Sequence, residues 1–67
     1  MVSARDLIRF LLRQGYRKAR QTGSHVILEH PIRKTLVIPV HAGDLPKGLF
    51  LRVLKDGGFT LEDFRRD

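Results

Sequence analysis

The sequence predicts an α+β domain, a two-layer sandwich with two helices on one face of a three-stranded antiparallel sheet and a short C-terminal helical turn. Three observations carry this. Apolar residues recur at helical spacing near both ends of the chain. Between them lie three short stretches with strand-like alternation or β-branched side chains. The connections joining those stretches are short, which favours an antiparallel meander.

Ser3 is the expected N-cap of the first helix, because its hydroxyl can accept a bond from an unpaired N–H of the first turn. Ala4, Leu7, Ile8, Leu11 and Leu12 form the apolar stripe of that helix, and Arg5, Arg9 and Arg13 line another face. Phe10 falls away from the stripe and is expected at the edge of the core or beneath another protein. Gly15 suits the left-handed position that ends a helix. Residues 16–21 read as a half-exposed first strand, and Thr22, Gly23 and Ser24 as a turn. Residues 25–30 read as a second strand, with Val26 and Leu28 on one face and His25, Ile27 and Glu29 on the other. After a turn at 31–34, residues 35–40 make a β-branched third strand. Pro39 lacks a backbone donor, so that strand ends there or has an open edge. Residues 41–46 form a loop in which Asp44 is the expected cap of the second helix. Leu49, Phe50, Val53 and Leu54 supply its apolar face, and Gly57 and Gly58 end it. Thr60 and Asp63 fit a variant of the capping box for a last turn from which Leu61 and Phe64 pack back. This is the general plan of double-stranded-RNA-binding domains, here as one domain over residues 1–67.

A chain of 67 residues supports one thin core. It has no cysteine, which excludes disulfides, thiolate metal sites and thiol nucleophiles and fits a reducing cytoplasm. No targeting segment or membrane-length apolar run is evident. With 13 Lys and Arg against 7 Asp and Glu, the formal charge is +6. Such an excess on a small body attracts polyanions, nucleic acid first and an acidic protein second.

Three constellations bear on chemistry. In Gly23-Ser24-His25, glycine permits a tight turn or close approach of a phosphate backbone, and serine offers a hydroxyl and an N–H. Histidine, with an ordinary pKa of about 6.5, can exchange a proton near neutral pH. RNA brings its own nucleophile, the 2′-OH, so proton transfer and charge neutralisation suffice for its cleavage. A histidine at the start of a strand is nonetheless commonly a surface or capping residue. His41 and His30, beside Asp44 and Glu29, raise the question of a metal. No paired-histidine helix spacing supports one, and His30 is expected to face away from His25, so no metal or other cofactor is assigned. Arg17, Lys18, Arg20, Arg33, Lys34 and Lys47 form a basic set for phosphate. Tyr16 is the one aromatic suited to stacking a base, which favours backbone contact over base reading.

Gly15-Tyr16, then Thr22-Gly23-Ser24-His25-Val26-Ile27, Ile38-Pro39-Val40-His41 and Lys47-Gly48 leading into Leu51-Arg52-Val53-Leu54 and Gly58, resembles the HicA family of messenger-RNA-cleaving toxins. The likeness runs from Ser3 to Phe64 with the motifs in family order. It implies an α-β-β-β-α fold and endonucleolytic cleavage of messenger RNA, and with the constellations above the leading expectation is a metal-independent endoribonuclease of the cytoplasm. It also implies a HicB-like antitoxin that covers the histidine-bearing face. The family's catalytic histidine falls on His25, and the histidine of its Pro-x-His element on His41, a candidate second acid/base. Thr22 stands where many members carry a basic residue, and Leu49 where a threonine commonly follows Lys-Gly. Two other readings share the basic surface: a non-catalytic RNA-binding module, and a protein-interaction subunit docking through Phe10 or the edge near Pro39.

Overall fold

The computed structural model describes residues 2–40 and 44–67. Its elements run α1 (Ala4–Arg13), β1 (Arg17–Thr22), β2 (His25–Glu29), β3 (Leu36–Pro39), α2 (Lys47–Gly57) and α3 (Leu61–Arg66). The strands form one antiparallel sheet in the order β1-β2-β3, with the helices packed against one face. The α+β expectation therefore holds, with the last turn extended into a helix.

Ser3 Oγ accepts the Asp6 N–H at 3.1 Å, as the first-turn chemistry predicts. The buried stripe of α1 is Ala4, Leu7, Phe10 and Leu11. It is rotated from the expected one: Leu12 is 44% exposed and Phe10 only 1%. The cause lies at the far end of the chain. Phe10 meets Phe59 and Phe64 edge-on, with ring centroids at 5.1 and 5.3 Å, and Phe50 meets Phe64 at 5.0 Å. Edge-to-face pairs of this kind favour burial beyond their area. Phe10 is thus a core residue and no docking surface.

Tyr16 precedes β1 and is buried at 3% exposure, its hydroxyl donating to the Lys34 carbonyl at 2.7 Å. Burial raises its pKa above the ordinary phenol value, against an opposing pull from the Arg33 charge. It cannot serve as a stacking platform. β1 is exposed along its whole length, and its register slips between Lys18 and Arg20. In β2 the alternation is as expected: Val26 and Leu28 are buried, and His25, Ile27 and Glu29 face away from the helices. β3 buries Leu36 and Ile38, ends at Pro39 and forms the sheet's other edge.

The second helix starts at Lys47 with Pro46 as its N-cap residue and no side-chain cap bond. Asp44 does not cap it; it pairs with Ser3 in an isolated bridge, tying the loop to the start of α1. Gly58 ends α2 in the left-handed conformation, φ +87°, where a side chain would be strained. The capping box of α3 is complete: Thr60 Oγ1 accepts from Asp63 N–H at 3.1 Å, and Asp63 Oδ2 accepts from Thr60 N–H at 2.9 Å. That backbone bond is the largest cause holding the Asp63 carboxyl below its ordinary value, with Arg66 and Arg33 assisting. Among the described residues no helix is long and apolar enough to cross a membrane.

Candidate active site

Gly23 and Ser24 form a two-residue turn, so Thr22 and His25 face each other across the end of the hairpin. On its other side His25 pairs with Pro39. The Ser24 carbonyl accepts the Val40 N–H at 2.7 Å, which anchors the turn to the chain leaving β3. Gly23 has no left-handed backbone, and a Cβ there would meet none of the described residues within 4 Å. Packing among the described residues therefore does not demand glycine.

The His25 side chain is exposed, and Ser24 Oγ lies 3.2 Å from its Nδ1. Among the described residues that is the ring's one hydrogen bond, and Nε2 makes none. A serine hydroxyl there can accept a hydrogen bond from Nδ1–H or donate one to an unprotonated Nδ1, orienting the ring in either tautomer.

Residues directly opposed across antiparallel strands share a face. Thr22 opposite His25, Arg20 opposite Ile27 and Arg17 opposite Glu29 therefore lie on the face open to solvent, with His25. Arg17 is ion-paired to Glu29 at 3.3 Å. Arg20 is the exposed cation on this face nearest His25 in the strand register. Lys18 opposes Leu28 and belongs to the helix side of the sheet, where it is exposed. Lys34 is exposed at the far end of β2, roughly 14 Å of strand away at about 3.4 Å per residue. Lys47 is exposed at the start of α2.

Arg33, expected at phosphate, is committed elsewhere. Its guanidinium donates to the Gly57 carbonyl at 2.8 Å and lies 4.4 Å from the Phe59 ring centroid, closing the end of α2. His30 is likewise used by the fold. Its Nδ1 accepts the N–H groups of Ile32 and Arg33, each at 3.2 Å, so Nε2 carries the hydrogen and donates to the Gln14 carbonyl at 3.1 Å. Neither nitrogen is left for a metal or a proton relay. Among the described residues no three His, Cys, Asp or Glu side chains gather at metal-binding distance. His41 lies outside the described residues.

The sheet's open face also carries Val37, 52% exposed, and partly buried Ile27 opposite it. Neither has a chemical signature in the sequence that singles it out, although alternation around the buried Val26, Leu28, Leu36 and Ile38 marks both. An exposed apolar pair next to a histidine and an arginine is a surface fitted for contact.

No curated protein matches the chain. Residues 4–59 match the sequence profile of a family described as the HicA toxin of bacterial toxin-antitoxin.

Proposed function

From the premise that this chain belongs to the HicA toxin family, and so has an antitoxin as partner, we propose that it is a metal-independent endoribonuclease of messenger RNA with His25 as its proton-transfer group. The observation that carries this reading is the setting of His25. Its ring stands exposed at the hairpin mouth, oriented by Ser24 Oγ, with Nε2 unbonded among the described residues.

The reaction needs nothing more than proton traffic and charge neutralisation. As base, His25 removes the 2′-OH proton while the 2′ oxygen attacks phosphorus. The bond from phosphorus to the 5′ oxygen breaks, and that oxygen takes up a proton. The products are a 2′,3′-cyclic phosphate and a 5′-hydroxyl. If His25 is instead the acid, it supplies the last proton; His41 is the candidate for the other transfer. Negative charge on the phosphorane oxygens is met by Arg20 on the same face, with Arg17, Lys18, Lys34 and Lys47 guiding the backbone. Gly23 leaves room for that backbone to approach. A HicB-like antitoxin silences the enzyme, in this proposal, by covering the His25 face, where Ile27 and Val37 offer apolar contact, and both proteins act in the cytoplasm.

The test is cleavage of a messenger RNA by purified protein in the presence of a chelator, wild type against His25→Ala. A loss of about 10²–10⁴-fold with unchanged folding is expected, since general acid–base catalysis is worth that much. Wild-type cleavage by the variant overturns the proposal.

A further inference from the structure

A groove enclosing about 450 Å³ runs between α2 and α3, well away from the open face of the sheet. Phe50 and Leu51 of α2 and Leu61 and Phe64 of α3 line it, the Phe50 and Phe64 rings packed edge-on against each other as its floor. Its volume lies within the roughly 300–1,000 Å³ typical of binding sites. Leu51 stands 38% exposed at the mouth. The charged lining residues are Lys47 and Arg65, and among the described residues no carboxylate lines the groove. Part of that lining belongs to α3, which begins at Leu61, beyond the segment 4–59 that matches the family. The toxin core alone therefore does not build this groove.

We propose that the groove seats an acidic, amphipathic helical segment of this toxin's antitoxin. The inference rests on the functional reading only for the identity of the partner. An apolar channel between two helices takes the apolar side of a third helix, whose residues at helical spacing become anchors. The two cationic lining groups favour carboxylates on the flanks of that segment. Other occupants fit less well. RNA phosphates gain nothing from a floor of Phe and Leu, and a second copy of this chain brings a charge of +6 against a cationic rim. Because Lys47 lines the groove, a seated acidic segment draws that lysine away from phosphate as well. The partner thus holds the toxin at a second surface besides the His25 face.

The experiment measures affinity by titration calorimetry between full-length toxin and the antitoxin encoded beside its gene. Leu51→Glu should weaken binding at least about 10-fold, the range of an interface residue that matters. Arg65→Glu should weaken it about 5-fold by charge reversal. Ile32→Glu alters an exposed apolar residue in the turn between β2 and β3, 87% exposed, and should leave affinity unchanged. Unaltered affinity in both groove variants overturns the proposal, as does an equal loss in Ile32→Glu. A fall in RNA affinity with antitoxin binding intact also overturns it, assigning the groove to nucleic acid. The chain has no cysteine, so Leu51→Cys can carry a single polarity-sensitive dye. Its emission should shift to the blue when antitoxin is added, and no shift overturns the proposal even if the charged variants fold poorly. Cleavage by free Leu51→Glu protein should equal wild type, which separates this test from that of His25.

Discussion

One histidine, His25, opens β2 and another, His30, follows its last residue, and their surroundings differ completely. At the far end, His30 has both ring nitrogens bonded to backbone and its ring 4.9 Å from that of Tyr16. Gly15 turns beneath it with φ +99°, so close that a Cβ there would stand 3.0 Å from His30 Nε2. Arg33 adds its bond to the end of α2 and its contact with Phe59. At the near end, His25 has a serine hydroxyl on one nitrogen and, among the described residues, no partner on the other, beside a glycine whose Cβ position meets none of them. Identical side chains thus do opposite work. A ring whose donor and acceptor are both spent on the backbone is a fastener. A ring oriented by one bond, with the other nitrogen presented to solvent, can move a proton.

Exchanging the two histidines for alanine gives the largest contrast. In His25→Ala, cleavage should fall about 10²–10⁴-fold while the melting temperature stays near wild type. In His30→Ala, three bonds and a ring contact vanish, and stability should fall by about 2–4 kcal/mol. Each kcal/mol lowers the melting temperature of a domain this small by roughly 4–8 °C. The molecules that remain folded should cleave normally. Thermal unfolding and single-turnover cleavage on both variants check this. If His30→Ala abolished cleavage while leaving stability intact, the comparison would collapse.

The two arginines repeat the contrast at a smaller scale. Arg33→Ala strips the carbonyl of Gly57 of its partner and should cost about 1.5–3 kcal/mol of stability, with little change in RNA affinity. Arg20→Ala should leave stability within about 0.5 kcal/mol. It should weaken RNA binding and reduce the log–log salt slope by about 1, as expected when a single phosphate loses its cationic partner. Denaturant titration and binding at several salt concentrations separate the two.

Local chemistry makes most of the fold legible in the sequence, and long-range packing hides the rest. The cap at Ser3, the left-handed Gly15, the alternation through Val26 and Leu28 and the capping box at Thr60 are decided by neighbours in the chain, and each is found as expected. Phe10 escapes the helical pattern because its partners, Phe59 and Phe64, lie some fifty residues on in the chain. Asp44 has the spacing of a cap, and spacing alone cannot show that it pairs with Ser3. The same blindness affects the site. Gly23, Ser24 and His25 are adjacent and readable together, whereas Arg33 cannot be told from Arg20 until the fold places one on Gly57 and the other on the open face.

Gly23→Ala sharpens the near end with a smaller effect. A Cβ there meets none of the described residues within 4 Å and the backbone is not left-handed. Stability should hold or rise by about 0.4–1 kcal/mol, because alanine restricts the unfolded chain. If RNA approaches the turn closely, affinity should nevertheless fall a few-fold, read by titration of a non-cleaving His25→Ala background. Unchanged affinity would place the RNA backbone away from Gly23 and leave Ser24 and Arg20 as its contacts.

The smallest expected effect concerns Asp63, whose charge faces Arg33 at the fastened end. The Thr60 backbone bond, with Arg66 and Arg33, holds its carboxyl below the ordinary value. Such a group ionises more readily in the folded protein than in the unfolded chain. Its contribution is therefore complete above the unfolded carboxylate value of about 3.9, and fades as the pH falls through the lower folded value. Asp63→Asn keeps an oxygen for the Thr60 N–H but removes the charge. Melting curves recorded from neutral pH downward should show the variant slightly less stable at neutrality and converging on wild type in acid. Parallel curves at all pH values would mean that the charge contributes nothing and that the α3 cap depends on hydrogen-bond geometry alone. In that case Arg33 stabilises its end of the molecule through Gly57 and Phe59, with no help from Asp63.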